Sequence, residues 1–135
     1  MRIAVVSAPA VRRAPPDYVK SLAKGMSSMG HFVDVVDAWT EDGIRLPGYD
    51  YVAVVTETIS MFSAKIPDAV TRVLSVGSGL SGKKSAAFLK KGGLRLGKTF
   101  SNLMRAMEKE GMVVNWSDIL LSAPHAEAMG KRIGA

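Results

Sequence analysis

The residues best suited to chemistry in this chain are two adjacent arginines, Arg12 and Arg13, shortly after the first apolar run. Guanidinium groups bind phosphate oxygens in a bidentate manner, so this pair could hold a phosphate or another anion. A phosphate site built from backbone donors needs several converging N–H groups, and proline lacks this donor. Three prolines interrupt the same segment: Pro9, Pro15 and Pro16. Ser7 is its only hydroxyl before Tyr18. The two arginines therefore either replace the missing donors or lie solvated on a loop.

Two further segments combine small, polar and apolar residues in a way that suits a ligand. Residues 56–62 offer the hydroxyls of Thr56 and Thr58, followed by Met61 and Phe62, which could pack against a flat ring. The alternative is that Met61 and Phe62 cover the end of a sheet. In residues 90–98, Lys91 is followed by two glycines that permit a close backbone approach: Gly92 and Gly93. An ordinary turn between a strand and a helix explains the glycines equally well.

Alternating apolar runs and helical patterns predict how these segments are held. Strands are predicted at residues 2–7, 31–36, 50–55, 84–89 and within 112–121, and helical patterns separate most of them. Strands that alternate with helices form parallel sheets with helices on both faces. Ligands of such sheets bind beyond the carboxyl ends of the strands. The three predicted loops at that end are residues 7–17, 56–65 and 90–98.

Composition sets the class of protein. The chain has 135 residues, of which 47% are hydrophobic and 22% charged, and this predicts one globular domain with a core of its own. Cysteine is absent, which excludes disulfides, thiolate metal ligands and cysteine nucleophiles. Neither a signal peptide nor a membrane-spanning stretch is recognisable, so we expect a cytoplasmic protein without a membrane partner.

Basic residues collect in the three predicted loops. The set comprises Arg12, Arg13, Lys65, Lys90, Lys91, Arg95 and Lys98, in a chain with a net charge of +6. A positive surface of this kind favours an anionic small molecule or an acidic protein as partner. Nucleic acid is less favoured because no nucleic-acid-binding motif accompanies the charge. His31 and His125 have no partners at metal-ligand spacing, and no nucleophile or carboxylate pair stands out, so we predict neither a metal site nor a catalytic residue.

Three sequence patterns together resemble a known family. Residues 51–56 form an apolar strand, and residues 62–67 (FSAKIP) then lead into a helix. Residues 82–88 (GKKSAAF) precede Gly92 and Gly93, and residues 110–114 (EGMVV) precede a closing helix. In the order and spacing of these patterns, the chain resembles a flavodoxin-like domain over nearly its whole length. The resemblance implies an α/β fold, a flavodoxin-like three-layer α/β/α sandwich in residues 1–135. Its five-stranded parallel sheet would have the strand order 2-1-3-4-5.

The resemblance also implies a cofactor, flavin mononucleotide (FMN). In that family the first loop wraps the phosphate, and the loops after the third and fourth strands hold the isoalloxazine ring. Carried over by position, the cofactor-binding residues would be Ser7, Arg12, Arg13, Thr56, Thr58, Met61, Phe62, Lys91, Gly92 and Gly93. The family's phosphate loop resembles a serine-x-threonine-glycine-asparagine-threonine run, and none of that follows Ser7. Glu57 is unfavourable near a reduced flavin, which tends towards an anion.

Two functions remain open at this point. The first is a divergent flavoprotein that binds FMN and serves as an oxidoreductase or in electron transfer. The second is a non-redox binding or interaction module that kept the scaffold and lost the cofactor, since a shared fold does not entail a shared activity. Family members that carry electrons are usually acidic, so the basic charge of this chain argues against a simple electron shuttle.

Overall fold

The computed structural model describes residues 1–133, which form a parallel sheet between helices. The strands are β1 (Arg2–Ala8), β2 (Phe32–Asp37), β3 (Tyr51–Glu57), β4 (Lys84–Lys90) and β5 (Val113–Leu120). The helices are α1 (Asp17–Ser28), α2 (Asp68–Leu74), α3 (Leu96–Lys109) and α4 (Ala123–Arg132), with a short 3₁₀ turn at Leu46–Gly48. All neighbouring strands pair in parallel in the order β2-β1-β3-β4-β5. The predicted α/β class and strand order are confirmed.

Helices cover both faces of the sheet. On one face, Leu22 of α1 and Met129 of α4 pack against Val5 and Phe88 of the strands. On the other face, the apolar side chains of α2 and α3 pack against alternate strand residues, and this set includes Val70, Val73, Leu103 and Met107. The central strands β1, β3 and β4 are buried almost throughout, because a sheet covered on both faces exposes neither set of side chains.

Strand β3 is longer than the sequence predicts. Thr56 and Glu57 were expected in the following loop, but the parallel ladder continues until Glu57 pairs with Lys90. Side chains alternate between the faces of a strand, and Ala53 and Val55 lie on the face covered by α1 and α4. Glu57 therefore points to that same face, where a sheet protein normally places an apolar residue.

Strand β5, predicted within residues 112–121, is irregular at Asn115. Its pairing with β4 shifts between Ser85↔Val114 and Ala86↔Trp116, so Asn115 is the extra residue of a β-bulge. The amide oxygen of Asn115 accepts a hydrogen bond of 2.7 Å from the Tyr51 hydroxyl. The bulge thus lets the chain continue as a strand while one polar side chain reaches a neighbour. No helix among residues 1–133 is long and apolar enough to cross a membrane.

Candidate functional site

The carboxylate of Glu57 is the centre of the polar contacts at the carboxyl end of the sheet. Its Oε1 accepts hydrogen bonds from the backbone N–H of Ala10 at 2.9 Å and from Nη1 of Arg13 at 2.7 Å. Its Oε2 accepts from Nη2 of Arg13 at 3.2 Å and from the Tyr18 hydroxyl at 2.7 Å. We call Ala10, Arg13, Tyr18 and Glu57 the Glu57 cluster. It ties the first loop and the start of α1 to the end of β3.

The electrostatics of the Glu57 cluster keep the carboxylate ionised. Burial raises the pKa of Glu57, but the hydrogen bonds from Arg13, Ala10 and Tyr18 outweigh it and leave that pKa below its usual value of 4.5. Burial, followed by the hydrogen bond to Glu57, raises the pKa of the Tyr18 phenol, so Tyr18 remains a donor. The hydrogen bond to Glu57 raises the pKa of Arg13. Glu57 is therefore an anion whose hydrogen-bond donors are already in place, and the Arg13 cation balances its charge.

The first loop does not fit the phosphate of FMN. Its Arg13 guanidinium and Ala10 N–H both bind the Glu57 carboxylate, and two negative groups would repel each other there. The hydroxyl of Thr56 donates to the carbonyl oxygen of Ala8 at 2.6 Å. The carbonyl oxygen of Pro9 accepts from the Trp39 indole at 2.9 Å, which fixes the loop in this position. The donors of Ala10, Arg13 and Thr56 are thus engaged by the protein itself, whereas Arg12 is exposed.

Ser7 is the exception among these polar groups. It is fully buried, and its hydroxyl has no hydrogen-bond partner within residues 1–133. Ser7 lies two residues after the buried Val5, so it faces the same side of the sheet as Glu57. It pairs in register with Val55 on the neighbouring strand.

The second and third loops pack against each other. The backbone N–H of Leu94 donates to the carbonyl oxygen of Met61 at 2.7 Å. Gly93 has a φ of +77°, and a Cβ on it would lie 3.0 Å from Oγ1 of Thr58. Only glycine takes up both the backbone conformation and the close approach without strain. Of the predicted cofactor-binding residues, the structure brings together Thr58, Met61, Gly92 and Gly93.

Large apolar side chains lie exposed on all three loops. Phe62 is 72% exposed and Leu94 is 68% exposed. The whole set, which we call the carboxyl-end patch, comprises Val11, Ile59, Met61, Phe62 and Leu94. Met61 is 59% exposed, so most of the surface of both Met61 and Phe62 is open to solvent. Exposed apolar groups of this size gathered at one end are typical of a binding surface.

Five cations lie on the same carboxyl-end segments of the chain as the carboxyl-end patch. We call them the basic rim: Arg12, Lys65, Lys91, Arg95 and Lys98, all of which are exposed. Among residues 1–133, none of these five has a carboxylate within 4.0 Å, whereas Arg13 is paired with Glu57 at 2.7 Å. Lys90 lies closer in, with its Nζ 5.7 Å from the centre of the Tyr18 ring. The end of the sheet thus keeps a positive surface after the internal ion pair is formed.

Glu57 and Tyr18 are the two functional candidates that sequence reasoning missed. The signal for Glu57 was its place two residues after Val55 in an alternating strand. The signal for Tyr18 was its place in the first turn of α1. Neither signal indicates that Tyr18 and Glu57, which are 39 residues apart in the chain, form a hydrogen bond.

A separate cavity of about 630 Å³ lies beside the edge strand β2. Asp34, Glu41 and Asp42 contribute to its lining, and the Tyr49 hydroxyl donates to Asp34 at 2.7 Å. The backbone N–H groups of Asp37 and Ile44 donate to Glu41 and Asp42 respectively. Because each carboxylate already has a partner in the protein, nothing in this cavity points to a ligand.

Known protein structures share the architecture of this chain at low sequence identity. No family model matches the chain, and no curated protein sequence matches it significantly. A flavodoxin from Streptococcus pneumonia superposes with a TM-score of 0.72 at 17% identity, over 97% of this chain and 96% of that one. The chain has a flavodoxin-like fold.

Further flavodoxin-like structures agree over nearly the whole chain. Flavodoxin 1 from Bacillus cereus gives a TM-score of 0.71 at 15% identity, over 96% of this chain and 95% of that one. A WrbA-like protein from Agrobacterium tumefaciens gives 0.63 at 13% identity, over 98% of this chain and 94% of that one. Identities this low establish a shared flavodoxin-like fold and leave activity to be argued from the site.

Proposed function

We propose that this chain is a non-redox binding module on a flavodoxin-like scaffold, and that its carboxyl-end patch docks an acidic partner protein. The observation that carries the proposal is the exposure of the patch on loops joined into one surface. Leu94 is hydrogen bonded to Met61, and Ala10, next to Val11, is hydrogen bonded to Glu57 at the start of the second loop. Soluble proteins seldom expose such a group of large apolar side chains without a partner.

Charge supports an acidic partner rather than a neutral one. The basic rim lies on the same carboxyl-end segments as the apolar side chains, and within residues 1–133 its members lack carboxylate partners. A partner with negative charge at the edge of its interface would be steered towards this end of the sheet, and its apolar centre would bury Phe62 and Leu94. Arginine, methionine and aromatic residues are the types enriched in protein interfaces, and the patch and its rim contain all three.

The Glu57 carboxylate occupies the donors of the first loop, and this supports a binding module that does not hold a cofactor by its phosphate. Arg13, which the sequence offers as a phosphate ligand, instead forms a two-point contact with Glu57. A redox function would require the flavin to be held, since the flavin and not a side chain would carry the electrons.

The docking proposal is tested with two variants of the patch and its rim, Phe62→Ala and Lys91→Glu. Wild-type protein, immobilised, is expected to retain one or more acidic proteins from an extract of its own cells. Retention should be lost in about 1 M salt, where charge interactions are screened within roughly 3 Å. Each variant is expected to weaken the purified complex at least tenfold, which corresponds to about 1.4 kcal/mol or more.

Matched controls come from the other end of the molecule. Phe32→Ala removes an aromatic side chain that is 78% exposed at the start of β2, and Lys84→Glu reverses a charge at the start of β4. Both should bind as the wild type does. Equal loss in the patch and control variants contradicts the proposal, and retention that disappears on nuclease treatment indicates nucleic acid instead.

A flavin held by its ring is the second candidate. Met61 and Phe62 are exposed beside Gly92 and Gly93, where the family resemblance expects the isoalloxazine ring of FMN. Bound FMN would supply electron or hydride transfer, and these loops would orient it. Titration of FMN with protein tests this directly: quenching of flavin fluorescence by the wild type and Phe32→Ala, but not by Phe62→Ala, would support it. Absence of quenching by the wild type would remove both FMN and the redox role.

A further inference from the structure

The Glu57 cluster has the composition of an anion site. A guanidinium fork, a backbone N–H and a hydroxyl converge on two carboxylate oxygens at 2.7 to 3.2 Å. This combination of a bidentate arginine and neutral donors is what proteins use to bind phosphate and carboxylate ligands from solution. Here the anion is part of the same chain, and its side chain is only 18% exposed.

A second observation is an unused hydroxyl on the same face of the sheet, at Ser7, which pairs with Val55 two residues before Glu57. Ser7 is fully buried, its hydroxyl has no partner within residues 1–133, and it faces the side of the sheet to which Glu57 points. A buried hydroxyl without a hydrogen bond is costly and is usually accounted for by water or a ligand. The end of β1 therefore carries a polar group that the internal carboxylate does not satisfy.

We infer that Glu57 is the built-in ligand of an anion subsite formed by Ala10, Arg13 and Tyr18, and that it determines specificity by excluding external phosphate. The inference goes beyond the proposed docking function, because it concerns the interior of the first loop and not the exposed patch. Glu57 prevents phosphate-bearing ligands from binding at this end of the sheet.

Physical chemistry favours the internal anion over a free one. A tethered group acts at an effective concentration of about millimolar or more, so a phosphate from solution must first displace the carboxylate. The displaced carboxylate would then lie close to the incoming phosphate, and like charges within a few ångströms oppose each other. Arg13 alone contributes a guanidinium to the subsite, whereas two anions would need at least two cations.

Removal of the carboxylate should open the subsite. The variant is Glu57→Ala, and the matched control is Asp68→Asn, which removes an exposed carboxylate at the start of α2, at the same end of the sheet. The probe is inorganic phosphate, titrated into the tens of millimolar at pH 7 and constant ionic strength. Binding is followed by NMR through the backbone amide of Ala10 and the guanidinium of Arg13.

We expect Glu57→Ala to show saturable shifts at Ala10 and Arg13, with phosphate bound at least tenfold more tightly than by the wild type or Asp68→Asn. Adding Arg13→Gln to Glu57→Ala should abolish those shifts. Wild-type protein that binds phosphate at Ala10 and Arg13 as tightly as the variant overturns the inference. A folded Glu57→Ala protein without phosphate binding overturns it as well.

A second variant covers the case in which Glu57→Ala does not fold. Glu57→Gln keeps the length of the side chain and removes its charge, and we expect a smaller gain in phosphate affinity at the same two groups. No gain in folded Glu57→Gln would then contradict the inference. The docking test changes Phe62 and Lys91 and leaves the Glu57 carboxylate intact. A negative result for docking therefore does not contradict phosphate exclusion, and a negative result for phosphate exclusion does not contradict docking.

Discussion

The carboxylate of Glu57 joins three parts of the chain that are distant in sequence: the first loop, α1 and β3. Hydrogen bonds to an ionised group are stronger than neutral ones, and the loss of one partner leaves the others unsatisfied in a partly buried place. The Tyr18 ring is buried, so its hydroxyl has few alternatives to Glu57. The predictions for single residues follow from the dependence of these partly buried groups on their hydrogen bonds to Glu57.

Tyr18→Phe is expected to lower the free energy of unfolding by about 1.5–3 kcal/mol, because it removes a hydrogen bond to a charged acceptor. Urea denaturation measures the change. Tyr49→Phe is the control, since the Tyr49 hydroxyl also donates to a carboxylate at 2.7 Å, but to the exposed Asp34, where water replaces the lost donor. The loss for Tyr49→Phe should be the smaller of the two, and equal losses would show that burial of the acceptor has no effect.

Acid should weaken the contribution of Glu57 to stability. Its pKa in the folded state lies below the usual 4.5, so the stabilisation is fully present above about pH 4.5 and is lost as the pH falls through the folded-state pKa. The stability difference between wild type and Glu57→Gln is therefore expected to shrink between pH 5 and pH 3. Urea unfolding at pH 7, 4.5 and 3 measures it, and a difference that stays constant with pH contradicts the assigned hydrogen bonds.

At the scale of the element, helices α1 and α4 meet through two glycines. A Cβ on Gly25 would lie 2.1 Å from the carbonyl oxygen of Glu127, and one on Gly130 would lie 2.2 Å from that of Leu22. The backbones therefore approach with no side chain between them. This close contact holds α1 against α4, and α1 in turn carries Tyr18 to the Glu57 carboxylate.

Gly25→Ala is expected to destabilise the protein by about 1–3 kcal/mol, since overpacking against a backbone oxygen forces the helices apart. Gly97→Ala is the control: Gly97 lies in the first turns of α3, and a Cβ there would meet nothing within 4 Å. It should be neutral or stabilising by at most about 1 kcal/mol, as helix propensity predicts. Thermal unfolding of both variants measures the two changes in stability. Equal changes would show that α1 and α4 can move apart without a cost in stability.

At the scale of the whole molecule, positive charge is unevenly distributed. The chain has a net charge of +6, and the basic rim concentrates five exposed cations at the end of the sheet that carries the apolar patch. A local cluster produces a stronger field than the same charges spread over the surface. Affinity for anions should therefore depend on where a cation lies as well as on the net charge.

Two double variants of equal net charge test this distribution. Lys91→Glu with Arg95→Glu reverses two charges of the basic rim, and Lys84→Glu with Lys109→Glu reverses two at the opposite end. Retention on immobilised heparin, used as a general polyanion, should fall to a lower eluting salt concentration for the first pair than for the second. Identical elution would mean that only the net charge counts and that the rim is not a site.

Much of the fold could be predicted because its signals are local. Apolar runs such as residues 51–55 indicated strands, and the resemblance to flavodoxin-like domains gave the strand order that the structure confirms. The end of β3 could not be predicted, because Thr56 and Glu57 are polar and are held in the ladder only by their neighbours on β1 and β4. The three candidate loops lie at the carboxyl end of the sheet, but the structure places the first residues of the second loop in β3 and the last residues of the third in α3. Their use as an FMN site stays a prediction.

The sequence by itself determined that three loops with arginines, glycines and apolar residues follow parallel strands, because periodicity and turn residues act over short stretches of chain. It also determined that Pro9, Pro15 and Pro16 remove backbone donors from the first loop. Only the tertiary structure decided which anion Arg13 binds. The choice depends on the distance between Arg13 and Glu57, which are 44 residues apart in the chain and meet at 2.7 Å once β1 and β3 pair.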